Sequence, residues 1–127
     1  MKSYTNLEQS KKLAEFLPLK SADVHWQYIE EDNGQLQWFC FSKDFSINQY
    51  DKVPAWSLTA LLNVLPKEIE IDGQGYAPCL FPVQDKWLLK LWYNSNYTFT
   101  SPIAIFSDNL IDACVEMIIK LHERNLL

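Results

Sequence analysis

Apolar residues recur along this chain with two different periods, and the changes from one to the other mark out its elements. Leu7, Leu13, Ala14, Phe16 and Leu17 fall toward one side of a 3.6-residue repeat. Thr5 and Glu8 stand at capping-box spacing before them and Pro18 closes the run, which predicts a first helix. Residues 24–29 and 35–42 are rich in β-branched and aromatic types and flank Glu31-Asp32-Asn33-Gly34, whose Asn-Gly pair favours a two-residue primed turn. That turn sets a register in which Tyr28 faces Phe39 and Trp26 faces Phe41. His25, Gln27 and Ile29 then share the other side of the hairpin with Trp38, Cys40 and Ser42.

Between Lys43 and Lys52 neither period holds, and the segment reads as a loop with one short strand at most. The block from Val53 to Pro66 predicts a short second helix. Ser57 caps it, Trp56 and Leu61 occupy the staple positions, Leu58, Leu61, Leu62 and Leu65 form its face, and Pro66 stops it. Two turns are too short to persist alone, so those leucines are expected to dock on the sheet carrying Trp87, Leu89 and Leu91. Glu68-Ile69-Glu70-Ile71-Asp72 alternates as a half-wet strand, with Gly73-Gln74-Gly75 as its turn. Strands at 77–84, 86–93 and 97–101, turning at Asp85-Lys86 and Asn94-Ser95-Asn96, complete an antiparallel meander.

A final helix over 110–124 is entered through Ser107-Asp108-Asn109. Its apolar face is broader than the ~100° stripe of a surface helix, so either sheet and helix cover it or a second subunit does. The predicted fold is a single α+β domain, residues 1–127, with three helices packed on an antiparallel sheet of about four to six strands.

At 56–66 and again at 107–123 the chain resembles a family of small proteins from gut Bacteroidales and their prophages, one with no assigned activity. The resemblance implies the same order of elements over nearly the whole chain, from a capped N-terminal helix through the Pro-x-Trp-Ser helix to strands and an Asp-Ala helix. The two blocks consist of capping and packing residues, so no catalytic or binding role comes with it.

Composition narrows the class of activity. Apolar residues make up 48% and Gly only 3 positions, which excludes a disordered or low-complexity chain. Sixteen acids against eleven bases give a net charge of −5, and Arg124 is the lone arginine, so nucleic acid is disfavoured as a partner. Cys40, Cys79 and Cys114 are dispersed without CxxC or His-x-His spacing, as reduced thiols in a reducing compartment would be, and no metal or other cofactor is expected. With no apolar leader or membrane span near Met1, the expected location is the cytoplasm.

Three constellations remain as candidate chemistry. The expected register makes His25 and Cys40 diagonal neighbours, a thiol and a base that Asp23 or Ser42 could orient. Glu68, Glu70 and Asp72, with Glu30, Glu31 and Asp32, form acid clusters that suit paired-acid hydrolysis or imitation of nucleic acid phosphates, but a charged, solvated strand edge accounts for them as well. Lys86, Leu88, Lys90 and Trp92 alternate with the core positions of their strand and mix cation, leucine and tryptophan, as a recognition surface does unless a helix lies over it. The leading expectation is a small non-catalytic binding or adaptor protein of mobile-element type, with a protein partner or a second copy. A thiol or acid enzyme and an acidic nucleic-acid mimic are the alternatives.

Overall fold

Asn6, one residue later than expected, caps the first helix, α1 (Leu7–Ala14). Its side chain accepts from the Gln9 N–H at 2.7 Å and Gln9 Oε1 accepts from the Asn6 N–H at 3.0 Å, a complete capping box. Thr5 does not cap because it is fully buried and otherwise engaged. Its hydroxyl accepts from the Trp56 N–H at 3.1 Å and lies 2.7 Å from Ser10 Oγ. This computed structural model describes residues 3–42, 52–93 and 101–127, which gather into two compact units, 3–60 and 61–127. The class is α+β, with three α-helices and antiparallel strands as the pattern requires, and the strands divide between two sheets.

In the first unit α1 and a 3₁₀ turn (Leu19–Ser21) precede a three-stranded sheet of β1 (Val24–Glu30), β2 (Leu36–Ser42) and β3 (Lys52–Ala55), in the order β2-β1-β3. The hairpin loop has three residues. Glu31 N–H donates to Gln35 O at 2.7 Å, Gly34 N–H donates to Glu31 O at 2.9 Å, and Gly34 takes φ +81°, the left-handed residue that ends such a loop. One extra loop residue shifts the register by one and turns β2 over. Trp26 is therefore opposite Cys40, Tyr28 opposite Trp38 and His25 opposite Phe41. The Tyr28 and Trp38 rings stack at 5.1 Å.

The first residues of the block expected to be helical, Val53, Pro54 and Ala55, are extended in β3 and pair with β1. Proline is tolerated there because β3 is an edge strand. The helix proper, α2 (Leu58–Val64), is the two turns anticipated. Ser57 Oγ accepts from the Ala60 N–H at 3.2 Å, as a cap should, and is itself anchored: its N–H donates to Asp23 Oδ1 at 2.8 Å and its hydroxyl to Asp23 Oδ2. The buried face is Ala60, Leu61 and Leu65; Leu62, expected with them, is 47% exposed.

The second unit is a meander of β4 (Ile69–Ile71), β5 (Gln74–Val83), β6 (Lys86–Tyr93) and β7 (Ala104–Ser107), ordered β4-β5-β6-β7. Ile71 pairs with Gln74, so Asp72 and Gly73, at φ +52° and +80°, make a two-residue primed turn and Gln74 already belongs to β5. Gln84 and Asp85 form the next turn, one residue before the expected pair. The expected loop at 43–51 and turn at 94–96 lie outside the described residues, as does all but Ser101 of the strand expected at 97–101. Ser101 itself is not in a strand; its hydroxyl bonds Leu91 O at 2.8 Å and Ile103 O at 2.6 Å, just ahead of β7.

Asn109 caps α3 (Leu110–Glu123) by accepting from the Ile111 and Asp112 N–H groups at 2.8 and 3.2 Å. This helix packs on β6 and β7, whose Leu89, Leu91 and Ile105 are buried. Ile111, Ala113, Cys114, Val115, Met117, Ile118 and Leu121 are all buried within the chain, which covers most of the wide apolar face, while Leu110 and Ile119 are half-buried.

Candidate functional site

Alternation along paired strands decides which candidate residues meet. Directly opposed residues of an antiparallel pair share a face, and neighbours in sequence do not. With Cys40 opposite Trp26 and Phe41 opposite His25, the Cys40 and His25 side chains leave the β1–β2 pair on opposite faces. The thiol–imidazole pair expected from a two-residue loop does not form. Burial, and after it the Asp23 carboxylate, push the Cys40 thiol up to about 11, away from the thiolate that a nucleophile requires. Asp23, named as a potential orienting group, has both carboxylate oxygens on Ser57. Burial also raises Cys114 to about 11, and the three cysteines are free thiols.

The acid clusters disperse in the same way. Glu70 is exposed on β4 while Asp72 belongs to the turn, so Glu68, Glu70 and Asp72 do not line one strand face. Glu31, Asp32 and Asn33 border an open depression at the hairpin tip. Among the described residues no group of three or more His, Cys, Asp or Glu side chains converges as a metal site would require. No described helix is long and apolar enough to cross a membrane.

Lys86, Leu88, Lys90 and Trp92 do come together. They share the face of the second sheet opposite to the one that buries Leu89 and Leu91. Register extends that face to Phe81, paired with Leu88, to Cys79, paired with Lys90, and to Phe106, which meets Leu88 from β7. Lys90 Nζ lies 4.5 Å from the centre of the Trp92 ring and 5.3 Å from that of Phe81, with the two rings 5.9 Å apart. The cation is thereby held against two π-faces. Trp92 is 37% exposed and Phe106 60%, so this face is not sealed under a helix. Phe106 could have been found in the sequence only by recognising Ala104–Ser107 as a strand, and its four residues are too few for a period to register.

A second feature has no counterpart in the sequence reading. Among the described residues, Leu19, Ala22, Val24, His25, Lys52 and Pro54 line an open hollow of about 170 Å³ beside the 3₁₀ turn and the β1–β3 pair. His25 is 6% exposed, and its buried Nε2 has no hydrogen-bond partner among the described residues. Its ring centre lies 6.0 Å from that of Phe41, its partner across the β1–β2 pair. Compared with models of known families, with curated proteins and with solved structures, the chain matches none.

Proposed function

We propose that this is a non-catalytic binding protein that presents the β5–β7 face of its second sheet to a protein partner. The observation that carries the reading is the Lys90 ammonium held between Phe81 and Trp92 on a face where Trp92 and Phe106 stay exposed. Tryptophan is among the residues enriched at energetically dominant interface positions, and aromatic residues in general are enriched in interfaces. Lys90 is already ordered by its two rings, so less side-chain freedom is lost on association. The complementary partner carries an apolar anchor flanked by carboxylates, matching Lys86 and Lys90 in charge.

Cross-linking in extract of the native host, through lysine-reactive and carboxylate-reactive ends, tests the reading. A partner joined at Lys86 or Lys90, and lost by about tenfold or more in Trp92→Ala and Phe106→Ala, supports it. Attachment through Lys12 or Lys20, or capture that ignores both substitutions, overturns it. Light scattering identifies the homodimeric form, because a mass twice the 14.9 kDa of the chain should fall to one chain in Phe106→Glu.

A further inference from the structure

We infer that the outer edge of β2 is a dimerisation edge, which takes the same strand of a second copy of this chain, antiparallel and about a two-fold axis. β2 reads Leu36-Gln37-Trp38-Phe39-Cys40-Phe41-Ser42, with no charged residue, proline or glycine. Among the described residues β1 is its one strand partner, and β2 ends the sheet order β2-β1-β3. An uncharged, apolar edge of this length is a template for a further strand unless something guards it. The opposite edge of the same sheet is guarded, because β3 carries Pro54.

Hydrogen-bond alternation decides which backbone groups the edge offers. Glu31 N–H donates to Gln35 O, and facing residues of an antiparallel pair then alternate between bonded and non-bonded. Along the register Gln37, Phe39 and Phe41 turn their backbone groups toward β1, while Leu36, Trp38, Cys40 and Ser42 turn theirs outward. The same alternation puts Pro54, opposite His25, at a non-bonded position against β1, where its missing N–H removes no bond from that pair. A second β2 laid antiparallel, with Phe39 facing its counterpart, pairs Leu36 with Ser42 and Trp38 with Cys40. Every outward residue of both strands is then bonded, and a register shifted by two leaves at least one without a partner.

Symmetry and charge select the occupant. Like residues meet along an uncharged strand without repulsion, and the edge carries no charge by which to choose a foreign strand. A two-fold pair consumes both β2 edges and leaves the joined sheet bounded by the two Pro54 strands. Assembly therefore closes at two copies instead of growing into a fibre.

Light scattering and residue-resolved amide exchange on the full chain test the pairing. A mass twice the 14.9 kDa of one chain is expected at ~100 μM, well above a micromolar Kd. Dilution should speed exchange by about tenfold or more at Trp38 and Cys40, while Phe39, bonded to β1, keeps its rate. Cys40→Pro removes an outward N–H and spares the ladder to β1, so it should weaken the dimer by about tenfold or more with the far-ultraviolet circular dichroism unchanged. Phe39→Cys gives a readout independent of that variant. Facing non-bonded residues lie about 4.5 Å apart at Cα, within disulfide reach, so mild oxidation with diamide should yield a covalent dimer that Gln37→Cys and the parent chain do not form. A strict monomer at that concentration, or no cross-link in Phe39→Cys, overturns the proposal. So does a dimer that Phe106→Glu dissolves and Cys40→Pro leaves intact, since that dimer would belong to the β5–β7 face.

Discussion

Leu61 and Leu62 are neighbours of identical chemistry, yet one is fully buried and the other 47% exposed. Leu61→Ala should therefore cost about 2–5 kcal/mol in urea unfolding, whereas Leu62→Ala should stay below about 1. Thr5 makes a sharper test. Thr5→Val keeps the volume but leaves the buried Trp56 N–H without its acceptor, and a loss of about 1–3 kcal/mol is expected. The thiols predict a pH response. Cys40 and Cys114 have folded values near 11 against an ordinary 9.0, so above pH 9 the unfolded chain sheds its protons first. Stability should fall as pH rises from about 9 to about 11, and a urea-midpoint series should become shallower there in Cys114→Ala, with the Cys40 share remaining. Iodoacetamide should accordingly modify Cys40 slowly at neutral pH and faster toward pH 11.

At the scale of elements, what was legible depended on how many residues voted. The fourteen residues of α3 and the eight of β6 carry enough periods to be read directly, and the inward and outward sets of β6 are those that alternation assigns. Turns rest on one or two residues, and there the reading slipped. Asn33-Gly34 fits a two-residue loop and equally the end of a three-residue loop with glycine in the left-handed position. The chain adopts the second, and that single residue separates His25 from Cys40. Gly34→Ala should cost about 1–2 kcal/mol because φ +81° is strained for any side chain there. The misplaced cap of α1 has a tertiary cause: Asn6 and Thr5 are both competent caps, and burial against Trp56 removes Thr5 from the contest. The interaction face was half legible, since β6 supplied Lys86, Leu88, Lys90 and Trp92, while Phe81 and Phe106 depend on register that pairs strands across the sheet.

For the molecule as a whole, two sheets in two compact units replace the one sheet that a continuous meander suggested. The division is invisible to local pattern, because which strands pair is decided by contacts far apart in sequence. One such contact links the ends of the first unit: Thr5 N–H donates to Trp56 O at 2.9 Å, Trp56 N–H returns the bond, and Trp26 Nε1 donates to Thr5 O at 3.0 Å. Closing a span of fifty-one residues must be bought with chain entropy before any reward arrives. The segment ahead of α1 thus leaves the ribosome well before its partner Trp56 and is fixed only once Trp56 has been made. Nascent chains halted before residue 56 should leave Thr5 and Ser10 open to proteolysis and hydrogen exchange, and chains a few tens of residues longer should protect them in one step.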